Sequence, residues 1–254
     1  MKDNLKISII TSVYNNKETI AEAIASVLSQ TYDNIEYIVV DGASTDGTIE
    51  VINAYADKIT TFVSEPDNGI YDGLNKGISL ATGDVVGFLH SDDLFASKDV
   101  ISNIVNAMQR KDVDAVYGDL VYVNQAATSK VIRYWKSEVF NHKKLENGWM
   151  PPHPTFYVKR EVYQKHGNFD TQFKIAADYD IILRFLGREG ISCSYIPKIL
   201  VKMRVGGASN RSLSNMVLKT KEDFLALRRN NIGHLGTVML KNLSKIKQFF
   251  VRAP

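Results

Sequence analysis

Along the first hundred residues, short apolar runs rich in β-branched side chains alternate with longer stretches whose apolar positions recur every three or four residues. The runs are ISIITSVY (7–14), IEYIVVDG (35–42), ITTFVSE (59–65) and DVVGFLHSDD (84–93). Each reads as a strand, since β-branched residues pack well on a pleated surface and a near-continuous apolar run suits a strand covered on both faces. The stretches KETIAEAIASVLSQ, GTIEVINAYA and GIYDGLNKGISLA between the runs, and KDVISNIVNAMQ after the last, carry helical spacing. This alternation predicts βαβ units, hence an α/β protein with a mostly parallel central sheet flanked by helices.

The pattern then changes. DAVYGDLVYVNQ and KVIRYWK read as strands joined by a polar turn with no helix between them. A Pro-punctuated loop, a short strand and a helix follow in GWMPPHPTFYVKREVYQKHGNFD, then a helix in DYDIILRFLGREG, two strands in SCSYIP and ILVKMRV, a Gly206-Gly207 loop and a helical tail. The expected organisation is a first half (1–110), a mixed second half (111–210) and a basic helical extension (211–254).

The 254 residues carry a net charge of only +3, so the whole molecule is no polyanion binder, and no nucleic-acid partner is expected. The excess sits in the tail, where eight Lys/Arg from Lys219 onward face only Glu222 and Asp223. The single cysteine, Cys193, excludes an internal disulfide and reads as a small core residue. Neither a signal peptide nor a membrane-spanning run is legible, which points to the cytoplasm. In the tail, Met239, Leu243, Ile246 and Phe250 share one helical face, suited either to docking on the domain or to peripheral contact with the inner face of the cell membrane.

In parallel sheets ligands bind beyond the carboxyl ends of the strands, so Asn15, Asp41, Glu65 to Asp67 and Asp92-Asp93 should gather along one edge. Thr11, Ser12 and Asn15 could serve merely as turn and cap residues. Asp41 closes an apolar strand and is placed to accept hydrogen bonds from a base or ribose. Neither G-x-G-x-x-G nor G-x-x-x-x-G-K-[ST] occurs at a phosphate-gripping position, so a bound diphosphate needs another counter-charge. Asp92 and Asp93 repel each other unless something positive sits nearby; they could hold a divalent cation, or one could cap the following helix. At about 100° per residue, Asp178 lies among Ile181, Ile182, Phe185 and Leu186 on the apolar face of its helix, whereas Asp180 points away beside Arg184 as a surface ion pair. Partial burial would make Asp178 a better proton acceptor.

Taken together and in order, TSVYNN, VVDGASTDGT, SEPDNGIYDGLNKGI, ATGDVVGFLHSDD and AADYDIILR resemble the family-2 inverting glycosyltransferases of the GT-A fold, over roughly residues 5 to 210. The resemblance implies sugar transfer from a nucleotide-diphosphate donor, a UDP-sugar by preference, to a glycan or lipid-linked saccharide, with Mn²⁺ or Mg²⁺ bridging the diphosphate to a D-x-D-like SDD. It implies Asp93 as metal ligand, Ser91 and Asp92 nearer the ribose or sugar, and Thr11, Val13, Asn15, Asp41, Asp67, Gly69 and Asn75 around the nucleotide. It also places the general base at Asp178, second of an acidic pair whose first position here is Ala177. His153, in the PPHPTF loop, could contact metal or phosphate or be structural, and Trp149 could stack on a sugar or fill the core. Lys202 and Arg204, before the Gly-Gly loop, could cover the diphosphate or be ordinary strand-end charges. The rival readings are a sugar nucleotidyltransferase, disfavoured because TSVYNNKET offers only Lys17 to a phosphate, and a non-catalytic sugar-nucleotide-binding protein.

Overall fold

The computed structural model describes residues 4–206 and 213–248. The first half follows the predicted alternation: β1 (Ile7–Val13), α1 (Ile20–Leu28), β2 (Ile35–Asp41), α2 (Thr48–Asn53), β3 (Thr61–Ser64), α3 (Ile70–Leu80) and β4 (Val85–Phe88). Beyond it come the two-residue β5 (Leu94–Phe95), α4 (Val100–Lys111), β6 (Ala115–Val123), β7 (Val131–Trp135), α5 (His142–Glu146), β8 (Tyr157–Lys159), α6 (Arg160–His166), α7 (Ala177–Ile182) and β9 (Cys193–Arg204). The tail supplies α8 (Leu213–Arg229) and α9 (Leu235–Lys247).

Among the described residues nine strands form one sheet in the order β3-β2-β1-β4-β8-β6-β9-β5, with β7 on β6. The β1–β4 block is parallel throughout. The second half is mixed: β8 runs antiparallel to β4 and β6, and β6 runs parallel to β9. The two strands expected at SCSYIP and ILVKMRV are one. Its register on β6 slips between Tyr117–Tyr195 and Asp119–Ile199, and Pro197, which has no N–H to donate, falls in the slip.

Two apolar layers cover the sheet. Ile20, Ile24 and Val27 of α1 and Ile101, Ile104 and Val105 of α4 fill one. Leu74 and Ile78 of α3, Val162 and Tyr163 of α6 and Ile181 and Ile182 of α7 fill the other. The tail joins this second layer through Ala226, Leu227 and Val238. On α9 the apolar positions Met239 and Leu243 are exposed while Lys241 is buried, the reverse of simple amphipathic docking; the side chain of Ile246 and all of Phe250 lie outside the described residues. None of the described helices is long and apolar enough to cross a membrane. Cys193 is a free thiol whose pKa burial pushes up to about 12, in keeping with a packing role.

One buried carboxylate ties the parallel block together. Glu36 on β2 accepts hydrogen bonds from Lys6 Nζ, Ser8 Oγ and both the amide and hydroxyl of Thr82, fixing β1 and β2 to the loop entering β4. Burial alone would raise its pKa, but these donors outweigh it and bring the carboxyl down to about 2. A carboxylate depressed when folded stabilises above its unfolded value and loses that contribution as pH falls through the folded one. Glu36→Gln is therefore expected to lower stability at pH 7 by about 1–2 kcal/mol and to flatten the loss of stability between about pH 4.5 and 2, measured by urea unfolding across pH.

Candidate active site

The loops after β1, β2, β3 and β4 converge as the parallel topology requires, and hydrogen bonds between them set their shape. Asn15, at φ 47°, accepts from the Thr45 amide at 2.8 Å and donates its own amide to Ser44 Oγ at 2.8 Å. Asn16 donates to Ser91 Oγ at 2.8 Å and so links the β1 loop to the β4 loop. Thr11 donates to the Leu89 carbonyl at 2.7 Å, from a position closed to solvent, and Val13 is likewise in the core.

Several expected nucleotide contacts are engaged in this framework. Asp41 is fully buried, with its carboxylate taken by Ser44 N, Ser44 Oγ and Ser64 Oγ, so it shapes the β2 loop. Asn75 spends both ends of its amide on the backbone of Phe169, at 2.9 and 3.0 Å, latching α3 to the second half. Asp67 remains partly accessible, accepting from Gly69 N at 2.9 Å while its carboxylate lies against Gly42 and Gly73. A Cβ on Gly42 would sit 2.7 Å from Asp67 Oδ2, so that approach depends on glycine. Gly69 itself, at φ 112°, starts α3.

The paired aspartates after β4 have different environments. Asp93 is closed to solvent; Oδ1 accepts from the Arg204 amide at 3.2 Å, and Oδ2 is buried without a partner. Burial, then the charge of Asp92, pushes its pKa well above the usual carboxylate range, against a smaller opposing pull from Arg204. Asp92 is the half-buried member of the pair. Arg204 lies beside the pair without bonding either carboxylate through its guanidinium. Its guanidinium donates to the Asp92 carbonyl at 2.7 Å, to the Gln125 carbonyl at 3.1 Å and to Glu22 at 2.6 Å. Only 3% exposed, it is a clamp beneath the loop and cannot serve as a diphosphate cover; Gly207 lies outside the described residues.

Two histidines, one from each half, stand in the field of these carboxylates: His90 in that of Asp92 and Asp178, and His153 in that of Asp178. His153 is buried in a 3₁₀ turn (His153–Thr155), its ring stacked on Phe88 at 5.5 Å and 6.2 Å from the ring of His90. Burial, assisted by His90 and opposed by Asp178, pulls the His153 pKa down to about 4, so the imidazole is neutral at pH 7. Burial likewise lowers His90, against the charges of Asp92 and Asp178. His90 has a buried, unpartnered Nδ1 and was missed in the sequence, although it opens HSDD on the ligand edge. Asp178 stands half-buried at the start of α7, and Tyr71 Oη lies 3.4 Å from its Oδ1 while donating to the Ile175 carbonyl at 2.7 Å. Asp180 is no surface pair: it is 6% exposed, bonded to Asn230 Nδ2 at 2.9 Å and 3.6 Å from Arg184, because α8 covers the face of α7 that periodicity assigned to water. Trp149 packs against Phe140 and Tyr117 in the core layer.

No three His, Cys, Asp or Glu side chains among the described residues form a complete metal site. A half-buried carboxylate, Asp92, and a neutral imidazole, His153, are nevertheless both donor types that a divalent cation accepts when a substrate supplies its remaining oxygens.

A parallel block joined to a mixed sheet brings Asp92, His90, His153 and Asp178 to the region between the two halves. The Glycosyl transferase family 2 model matches residues 8–174, and the chain belongs to that family. An uncharacterized glycosyltransferase of Mycobacterium tuberculosis is 33% identical over 181 residues, 70% of this chain and 68% of that protein. Of solved structures, S. aureus TarS 1–349 in complex with UDP-GlcNAc superposes with TM-score 0.71 at 18% identity, covering 89% of this chain; the chain spans 65% of that one. The mannosyltransferase PcManGT from Pyrobaculum calidifontis in complex with GDP-Man and Mn²⁺ gives 0.66 at 19% identity, covering 96% of this chain and 70% of that one.

Because Arg204 holds the Asp92 carbonyl, Arg204→Met is expected to lower the melting temperature by several degrees, corresponding to about 1–3 kcal/mol, while far-ultraviolet circular dichroism stays unchanged. An unaltered melt would show that the clamp contributes nothing.

Proposed function

We propose that the protein transfers a sugar from a nucleotide diphosphate, a UDP-sugar by preference, to a glycan or lipid-linked saccharide hydroxyl with inversion at the anomeric carbon. This reading is supported by the family match together with His90, which lies 6.2 Å from the His153 ring and in the field of Asp92 and Asp178. Asp178 is the general base: half-buried, at the start of α7, with Tyr71 beside one oxygen. It takes the proton from the acceptor hydroxyl as that oxygen attacks the anomeric carbon and the nucleoside diphosphate departs from the opposite face. A single displacement inverts, and needs no second carboxylate as nucleophile.

The divalent-metal reading moves from Asp93 to Asp92, with His153 or His90 as its imidazole ligand. Asp93 is closed to solvent, its Oδ1 bonded to the Arg204 amide and its Oδ2 without a partner, whereas Asp92 is the more accessible carboxylate of the pair and is the ligand proposed here. When bound, the cation neutralises charge on the departing diphosphate. An imidazole in the donor set favours Mn²⁺ over Mg²⁺, which prefers oxygen. Asn15 and Asp67 border the nucleotide side, while Thr11, Val13, Asp41 and Asn75 shape the pocket from behind.

Asp178→Asn is expected to reduce transfer by at least about 100-fold with nucleotide affinity kept, since general-base catalysis contributes roughly that much or more. Asp92→Ala is expected to abolish the extra thermal stabilisation that UDP gives in the presence of Mn²⁺. Transfer at the native rate by the first variant, or undiminished Mn²⁺-dependent stabilisation in the second, contradicts the assignment.

A further inference from the structure

The segment that carries the base is held from outside the matched family region, by the C-terminal helices. Glu222 on α8, 7% exposed, turns its carboxylate onto three consecutive backbone amides: Lys174 N reaches Oε1 at 2.9 Å, and Ile175 N and Ala176 N reach Oε2 at 2.8 and 2.9 Å. These amides directly precede α7, where no side chain of the segment itself caps the helix. Successive N–H groups around one anion make a compact, charge-assisted cradle. Ile175, whose amide Glu222 holds, offers its carbonyl to Tyr71 Oη, the hydroxyl that also lies beside Asp178. Glu222 and Tyr71 thus grip the same peptide segment, two to four residues before the base.

Neighbouring contacts fasten α8 to the same helix. Asn230 binds Asp180, and Asp223 is paired with Lys219 at 2.7 Å and with the buried Lys241 of α9 at 2.8 Å. Lys241 Nζ in turn lies 3.2 Å from the ring centroid of Tyr179, next to Asp178 in the chain. Ala177, fully buried beside Asp178, supplies no carboxylate to this segment.

We infer that Glu222 is a positioning residue for the transfer reaction: it sets the backbone of residues 174–176 and through it the place of Asp178, making α8 part of the catalytic apparatus. Glu222 touches neither donor nor acceptor, so its loss acts on turnover and leaves donor binding alone. The inference rests on Asp178 as base, and the test separates the two.

Release of UDP from UDP-N-acetylglucosamine, UDP-glucose and UDP-galactose with Mn²⁺, water serving as acceptor, is measured for the full chain, Glu222→Gln, Asp178→Asn and the double variant. UDP affinity is measured by calorimetry. Glu222→Gln is expected to lower kcat by about 10-fold or more with UDP affinity within about twofold, and to cost nothing further when added to Asp178→Asn, as for two residues acting through one group. Losses that multiply in the double variant, or a wild-type kcat in Glu222→Gln while Asp178→Asn is inactive, overturn the inference and leave the base assignment standing. A native rate in Asp178→Asn overturns both. Amide hydrogen exchange supplies an arm independent of turnover: Glu222→Gln must speed exchange at 174–176 while β1–β4 stay protected, and unchanged exchange there refutes the cradle. Should Glu222→Gln not fold, Glu222→Asp, which keeps the charge but is one methylene shorter, takes its place under the same criteria.

Discussion

The structure depends on how the loop after β4 is held. Two adjacent aspartates end an apolar strand in the middle of the molecule, and a carboxylate withdrawn from water is costly unless bonded. Arg204 meets part of this cost from the far end of β9, while Asp93 Oδ2 stays without a partner. Its amide meets Asp93, its guanidinium takes the Asp92 carbonyl, and the rest of its donors reach Gln125 and Glu22. One side chain thereby joins the parallel block, the mixed half and α1. Asp93 is closed to solvent, and Asp92 is the half-buried member of the pair.

The same division of labour runs around the site. Asp41, Asn75 and Thr11 fix loops to one another, and Asp180 fixes α7 to α8. The groups with chemistry to spare, Asp92 and Asp178, are the half-buried ones. Polar residues that close off a pocket from within and polar residues that face its contents lie only a few positions apart in the chain, and burial separates them.

Strand–helix alternation made the first half of the fold legible, because each apolar run had one way to be covered. The ordered motifs made the family legible too. Which of two neighbouring aspartates faces inward was not, since a motif gives spacing and the orientation is decided by Arg204, more than a hundred residues away. Helical periodicity misplaced Asp180 for a similar reason: the angle was right, but α8 covers that face. Glu222 and Lys241 read as charges of a basic tail, and nothing in their local pattern signals that both are buried beside the base segment.

The most direct measurement is a crystal of the protein grown with UDP and Mn²⁺, with anomalous differences collected at the manganese edge. The account predicts one manganese peak bound by Asp92 and an imidazole of His153 or His90, on the side facing Asp178, with Asp93 still bonded to Arg204. A peak coordinated by Asp93, or UDP bound with its diphosphate away from Asp92 and Asp178, would contradict it.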